Sequence, residues 1–381
     1  MRERIAVVHV GLEKTGSTAI QHWLKRHHSA LQAQGIVMPR SLGFPNHTRL
    51  VAACLDDGVV DNLKAHMLRR EGLSEPLLRR WVEASLAAEL RQTGDWHTLL
   101  ITCELISSRL SSPSEMERLL ALLRPHVDHI RFLLVLRRQD QLAVSRFSSL
   151  LRSGFDRFDA LLEDLSPFNF RELPPGRTVS DEQFFYDFEA IVSRFASIPG
   201  CELLLRCYGE QQPTAMMAEV LDLGLDAVVD AAPRVNSAMS AEAQFVMAEL
   251  NRQHASQWPS GLRRDDYRSL LRRVEVEVGG APRRITRSSA EQFLQRYQAG
   301  NRRLAERYGL SAQLYSGGLD RYPLSVNDRD LEERARPLLA HYQAEARGLP
   351  RREPLVQRLD HRLRGLKHRL RLWRDWPGAP P

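Results

Sequence analysis

Residues 5–18 read I-A-V-V-H-V-G-L-E-K-T-G-S-T. Ile5 to Val10 carry no charged residue and stop at Gly11, as a buried strand does. From Gly16 to Ala33, Ile20, Trp23, Leu24 and Leu31 recur near a helical period, with Ser17 and Thr18 in the first turn and Gly35 as a stop. Strand, glycine-bearing turn and helix make a phosphate-binding α/β unit. In such a turn, backbone amides at a helix N-terminus point at an anion, and the helix dipole favours negative charge there.

Lys14 stands out because the chain nearly always uses arginine. Of 54 basic residues only Lys14, Lys25, Lys64 and Lys367 are lysine. A compact ammonium does something that a planar guanidinium does not. The turn is not the G-x-x-x-x-G-K-[ST] loop of ATP-binding enzymes, in which the lysine follows the last glycine and precedes a metal-binding hydroxyl. Here Lys14 comes two positions before Gly16.

Further along, T-L-L-I-T-C (98–103), I-R-F-L-L-V-L (130–136) and 202–205 read as strands. Helical periods occupy 74–91, 113–123, 139–151 and 214–223. This alternation predicts an α/β fold, P-loop-like and three-layered, with a mostly parallel central sheet flanked by helices. Residues 41–72 read as an irregular functional loop. After Pro233 only helices are expected, over 241–253, 262–276 and 289–308. The predicted organisation is an α/β core over 1–232, a helical part over 233–320 and an arginine-rich tail over 321–381. Within the tail, 351–374 reads as a basic amphipathic helix, either docked on the body with its charged face in solvent or laid on an anionic membrane surface. Nucleic acid is not expected, because aromatic interleaving is poor.

Composition narrows the classes. With 381 residues, 43% hydrophobic and 27% charged, the chain can bury a large core. The net charge of +7 favours anionic ligands in a general way. No stretch is apolar enough to span a bilayer, and the N-terminus reads as a strand and not as an export signal, so the cytoplasm is the expected compartment. Cys54, Cys103, Cys201 and Cys207 form no C-x-x-C pair, so free thiols are expected and a metal is not.

A second anion site is expected where Arg137 ends the third strand. There it points into the crevice that open α/β sheets use for ligands. Ser145, two helical turns on, can face the same crevice, and an arginine fork with a hydroxyl suits a phosphate monoester. Glu104 follows the second strand directly. A carboxylate there, opposite the Lys14 loop, can accept a hydroxyl proton if burial raises its pKa. From the residues alone, Glu104 could equally cap a helix or pair with Arg109. His9 is a weaker rival for the base.

E-K-T-G-S-T (13–18) and R-R-Q-D-Q-L-A-V-S-R-F (137–147) together resemble the sulfotransferases that use 3′-phosphoadenosine 5′-phosphosulfate (PAPS), their bacterial branch in particular. The likeness extends more weakly to 203–208 and 301–308. It implies that Lys14 contacts the bridging oxygen and leaving phosphate, and that Thr15, Gly16, Ser17 and Thr18 cradle the 5′-phosphate. Arg137 and Ser145 would hold the 3′-phosphate, and Tyr208 would contact adenine. PAPS would be the co-substrate, with no metal. The glutamate at the strand end fits the glycan-modifying members and implies a carbohydrate or glycolipid acceptor. Two departures stand out. Ala19 replaces an adenine-stacking tryptophan, and the C-terminal glycine-rich loop has no clear counterpart, with Arg234–Ser237 the substitute considered. A kinase-like phosphotransferase and a non-catalytic scaffold of the same fold are the competing readings.

Overall fold

The computed structural model describes residues 3–162, 171–172, 185–223, 239–254, 264–311, 314 and 317–349. The 351–374 helix and Arg234–Ser237 lie outside them.

The chain opens with β1 (Ile5–Gly11), α1 (Ser17–Arg26), α2 (His28–Ala33), β2 (Ile36–Val37), α3 (Thr48–Cys54), β3 (Val60–Asp61), α4 (Asn62–Glu71) and α5 (Glu75–Gln92). It continues through β4 (Thr98–Thr102), α6 (Leu105–Arg109), α7 (Pro113–Leu123), β5 (His129–Leu136), α8 (Gln139–Arg152), β6 (Arg171–Glu172), α9 (Phe188–Ala196), β7 (Cys201–Cys207) and α10 (Pro213–Val220). The remaining helices are α11 (Ala241–His254), α12 (Arg264–Glu277), α13 (Arg287–Gln295), α14 (Gln298–Tyr308) and α15 (Asp328–Gly348).

Five parallel strands form the central sheet in the order β2-β4-β1-β5-β7. β1 is central and wholly apolar apart from His9, because both of its faces are covered. From β1 the chain runs outward to β2, returns as β4, then crosses to β5 and β7 on the other side. The carboxyl ends of β1, β4, β5 and β7 share one edge, where reversal of the strand order opens a crevice. Lys14, Glu104, Arg137 and Tyr208 follow these four ends.

One sheet face packs on Ile20, Trp23, Leu24, Leu31, Met216 and Met217 of α1, α2 and α10. The other packs on α3, α5, α7 and α9. α8 belongs to two cores. Leu142 and Ala143 join the sheet core, whereas Phe147, Leu150 and Leu151 pack with α11, α12 and α15. Asn251 of α11 binds this junction by donating to the carbonyls of Leu151 and Phe155, both at 2.8 Å.

Several expectations need correction. Helix 16–33 breaks at His27, whose φ of −96° and ψ of 11° end α1, and both halves keep their apolar residues in one core. Residues 41–72 hold α3 and α4. Leu50 to Cys54 are all buried, so α3 shows no amphipathic period to read. Helix 289–308 is interrupted at Tyr297. The helical part extends past 320, because α15 buries Leu331, Ala335, Tyr342 and Ala346, three of them in the core of α11 and α12. Its solvent-facing charges hid that stripe inside what read as an arginine-rich tail. All four cysteines are free, and among the described residues no helix is long and apolar enough to cross a membrane.

Candidate functional site

The β1–α1 turn is tied to its neighbours along its length. Leu12 N–H donates to Val135 at 3.0 Å, fixing the turn to β5. Thr15 Oγ1 donates to the Leu12 carbonyl at 2.6 Å. The Thr15 hydroxyl, expected to face an anion, is therefore turned inward, and only its backbone amide can take that role. Gly16 has φ +93°, and a Cβ there would stand 2.5 Å from Pro213 Cγ, so glycine is required by conformation and by space alike.

Donors without acceptors collect at this turn. No side chain caps α1 and no acid lies in its first turn. The amides of Ser17, Thr18 and Ala19 precede the first helical bond, from Ile20 N–H to Gly16 at 3.1 Å. Ser17 Oγ is buried without a partner. Thr18 stands exposed beside it. The Lys14 ammonium is half-buried and makes no ion pair with a described residue. Lys64, by contrast, is held by the Asp56 carbonyl and by Glu75 at 2.6 Å.

Arg137 reaches across from the end of β5 to the β1–α1 turn. Its Nη1 donates to the Lys14 carbonyl at 2.8 Å, and its guanidinium lies 4.7 Å from the Tyr208 ring centroid. Arg137 Nε is buried and unpartnered. Tyr208 N–H extends the sheet by donating to Leu136 at 2.7 Å, and its ring, 40% exposed, would meet a side chain at Gly16 at 3.8 Å. Ser145 is half-buried on α8, with no hydrogen bond to a described residue.

A cavity of about 310 Å³ adjoins Tyr208 and is lined by Leu136, Arg138, Gly317, Gly318 and Arg321. Arg138 forks onto Asp140 at 2.7 and 2.8 Å and also reaches the Gly317 carbonyl, while the Tyr322 hydroxyl donates to Asp140 at 2.6 Å. This buried network draws segment 317–322 across the strand ends. Sequence reasoning missed the segment because Gly317-Gly318 carries no recognisable spacing.

Glu104 faces the same crevice. Its carboxylate accepts from Gln21 Nε2 at 2.8 Å and from Asn46 Nδ2 at 3.3 and 3.4 Å. It stands at the N-cap position of α6 without a side-chain capping bond, and it does not pair with Arg109, which is taken by Asp61. Burial pushes the Glu104 pKa up and nearby Glu13 adds to this, against hydrogen bonds from its own backbone N–H, Gln21 and Asn46. Burial and Arg152 push Lys14 down, while Glu13, Glu104 and Glu275 pull it up, so Lys14 and Glu104 sense each other's charge. Asn46 is fixed by the next residue, since His47 N–H donates to the Thr102 carbonyl at 3.1 Å and His47 Nδ1 accepts from Thr102 N–H at 3.0 Å. Neither Gln21 nor Asn46 carried a sequence signal, since each acts only through contact with Glu104.

His9 is fully buried, its Nδ1 3.0 Å from Thr102 Oγ1 and its pKa lowered by burial to about 4. That imidazole stays neutral and is closed to solvent.

No protein-family model, curated protein or solved structure matches the chain.

Proposed function

We propose that the protein is a sulfotransferase that moves the sulfuryl group of PAPS to a hydroxyl of a carbohydrate or glycolipid acceptor. The observation that carries this reading is the cluster of unsatisfied donors around the β1–α1 turn: three free helix amides, the Ser17 hydroxyl, the Lys14 ammonium and the Arg137 Nε. Buried donors are normally paired, so a set that lacks acceptors fits an anionic ligand. Lys14 before the glycine, beside an arginine from the neighbouring strand end, fits a nucleotide with phosphates at both ends of its ribose better than an ATP tail. The cavity beside Tyr208 is the natural seat for the purine, with Arg137 and Ser145 toward the 3′-phosphate. Mg-ATP as substrate, and a scaffold without turnover, are the alternatives that this reading displaces.

The chemistry follows from position. Glu104 takes the proton of the acceptor hydroxyl. The acceptor oxygen then forms a bond to sulfur as the bond from sulfur to the bridging oxygen breaks. The electron pair leaves with the phosphate, where Lys14 and the turn amides stabilise the developing charge. Glu104 suits proton abstraction because burial raises its basicity while two neutral amides, and no paired cation, hold it. The reaction would run in the cytoplasm, and the 351–374 segment would bring the enzyme to the inner membrane surface.

Release of 3′,5′-bisphosphoadenosine from PAPS in the presence of a panel of hydroxyl acceptors tests the reading. Lys14→Ala is expected to lose most turnover while still binding nucleotide, and Glu104→Gln to lose turnover. Full activity in both variants would refute the assignment.

A further inference from the structure

A second cavity, of about 320 Å³, lies between the 283–286 segment, one face of α13 and residues 326–328. Three guanidinium groups line it, those of Arg283, Arg284 and Arg296. Arg283 is held rigidly. Its side chain is 11% exposed, its guanidinium lies 3.6 Å from the Phe158 ring centroid, and it donates to the Phe158 carbonyl. Its nearest carboxylate, on half-exposed Asp328, is 4.0 Å away. Arg284 and Arg296 make no ion pair with a described residue.

Several arginines elsewhere in the fold are matched by carboxylates. Arg138 forks onto Asp140, Arg152 onto Glu275 and Arg303 onto Glu189. Two carboxylates do stand at the cavity, but Asp159 is engaged by Arg157 at 3.2 Å. Three arginines thus line a cavity whose two carboxylates are Asp159, engaged by Arg157, and Asp328, 4.0 Å from Arg283. A buried cation without a close counter-charge is costly, and burial indeed pulls the Arg283 pKa down, against Asp328 and Asp159. Ser289 and Gln292 line the same cavity from the α13 face that carries Arg296, at helical spacings of three and four. They add neutral donors to the guanidinium groups. Planar forks of this kind match tetrahedral oxyanions, and stacking on Phe158 holds one fork in place before a ligand arrives.

We propose that this cavity is a second anion site, separate from the β1–α1 turn, and that its ligand is a dianionic oxyanion, a phosphate or sulfate monoester group. The assignment stands on the cavity and its arginine-rich lining and does not require the sulfotransferase reading. Crystals of the full chain soaked in selenate locate the site directly. Anomalous signal is expected within hydrogen-bond reach of Arg283 and Arg296, and a cavity empty at saturating selenate overturns the proposal. Calorimetric titration with inorganic sulfate, and separately with inorganic phosphate above and below neutral pH, separates the two ligand sources. Sulfate binding that ignores pH and phosphate binding that strengthens as the dianion forms are expected from a charge-selective site. Arg283→Met could disturb packing on Phe158, so the exposed pair Arg284→Gln and Arg296→Gln carries the solution test. That double variant should weaken one class of sites at least about tenfold and leave the class weakened by Arg137→Ala intact. Wild-type binding of both anions by the double variant contradicts the proposal.

Discussion

Gln21→Leu removes the shortest hydrogen bond to the Glu104 carboxylate, 2.8 Å from Nε2 to Oε2, while keeping the volume of a residue that is 7% exposed. The bond favours the ionised carboxylate, so its loss raises the Glu104 pKa further above the usual carboxylate range. A hydrogen bond to a charged group contributes about 1.5–3 kcal/mol. At about 1.36 kcal/mol per tenfold change, activity at a fixed acidic pH falls by about one to two decades. The two Asn46 contacts, at 3.3 and 3.4 Å, remain and keep the loss toward the lower figure. The assay is kcat/KM for sulfuryl transfer against pH, with wild type and variant compared on the acidic limb. A base must be ionised to work, so the limb moves to higher pH, and activity is recovered when the pH is raised. Gln21→Glu places a second carboxylate against Glu104 and moves the limb in the same direction by more. An acidic limb unchanged in both variants, or a uniform loss at every pH, would refute Gln21 as the group that tunes this base.

Other consequences are equally direct. Gly16→Ala sets a Cβ 2.5 Å from Pro213 Cγ at φ +93°, so denaturant midpoints should show a loss of about 1–3 kcal/mol together with weakened nucleotide binding; unchanged stability would mean the turn tolerates a side chain. Arg137→Ala deletes the contact to Lys14 and the stack on Tyr208. Affinity for 3′,5′-bisphosphoadenosine should fall by about one to two decades, and equal affinity by calorimetry would remove Arg137 from the site. His9 and His47, both fully buried, have pKa values lowered from 6.5 to about 4. The unfolded chain then binds more protons between these values, so their contribution is complete above pH 6.5 and is lost as pH falls toward 4. Urea unfolding across that window should show stability dropping by up to about 1.4 kcal/mol per pH unit for each histidine. A His9→Gln variant that keeps the wild-type slope would contradict this.

The sheet and the origin of the site were readable because the strands are apolar on both faces. The run I-A-V-V-H-V has few other uses than a central parallel strand. Lys14, Glu104, Arg137 and Tyr208 could then be placed at one edge by counting from strand ends. α3 was hidden because it is buried all round. α15 was hidden because its solvent face is a dense run of charges, and the stripe of Ala335, Tyr342 and Ala346 emerges only against α11 and α12. The inward turn of Thr15 was not readable, because a hydroxyl in such a turn can satisfy a local carbonyl or a ligand equally well. Gln21, Asn46 and the 317–322 segment join the site only through tertiary contact, over separations from 58 to 182 residues in the chain.

Calorimetric titration of the full chain with 3′,5′-bisphosphoadenosine, beside Mg-ATP, tests the central claim most directly. The unsatisfied donors at Lys14, Ser17 and Arg137 predict tight binding of the bisphosphate, weak binding of Mg-ATP, and bisphosphate binding weakened by about one to two decades in Arg137→Ala. Preference for Mg-ATP, or no heat from either nucleotide, would contradict it.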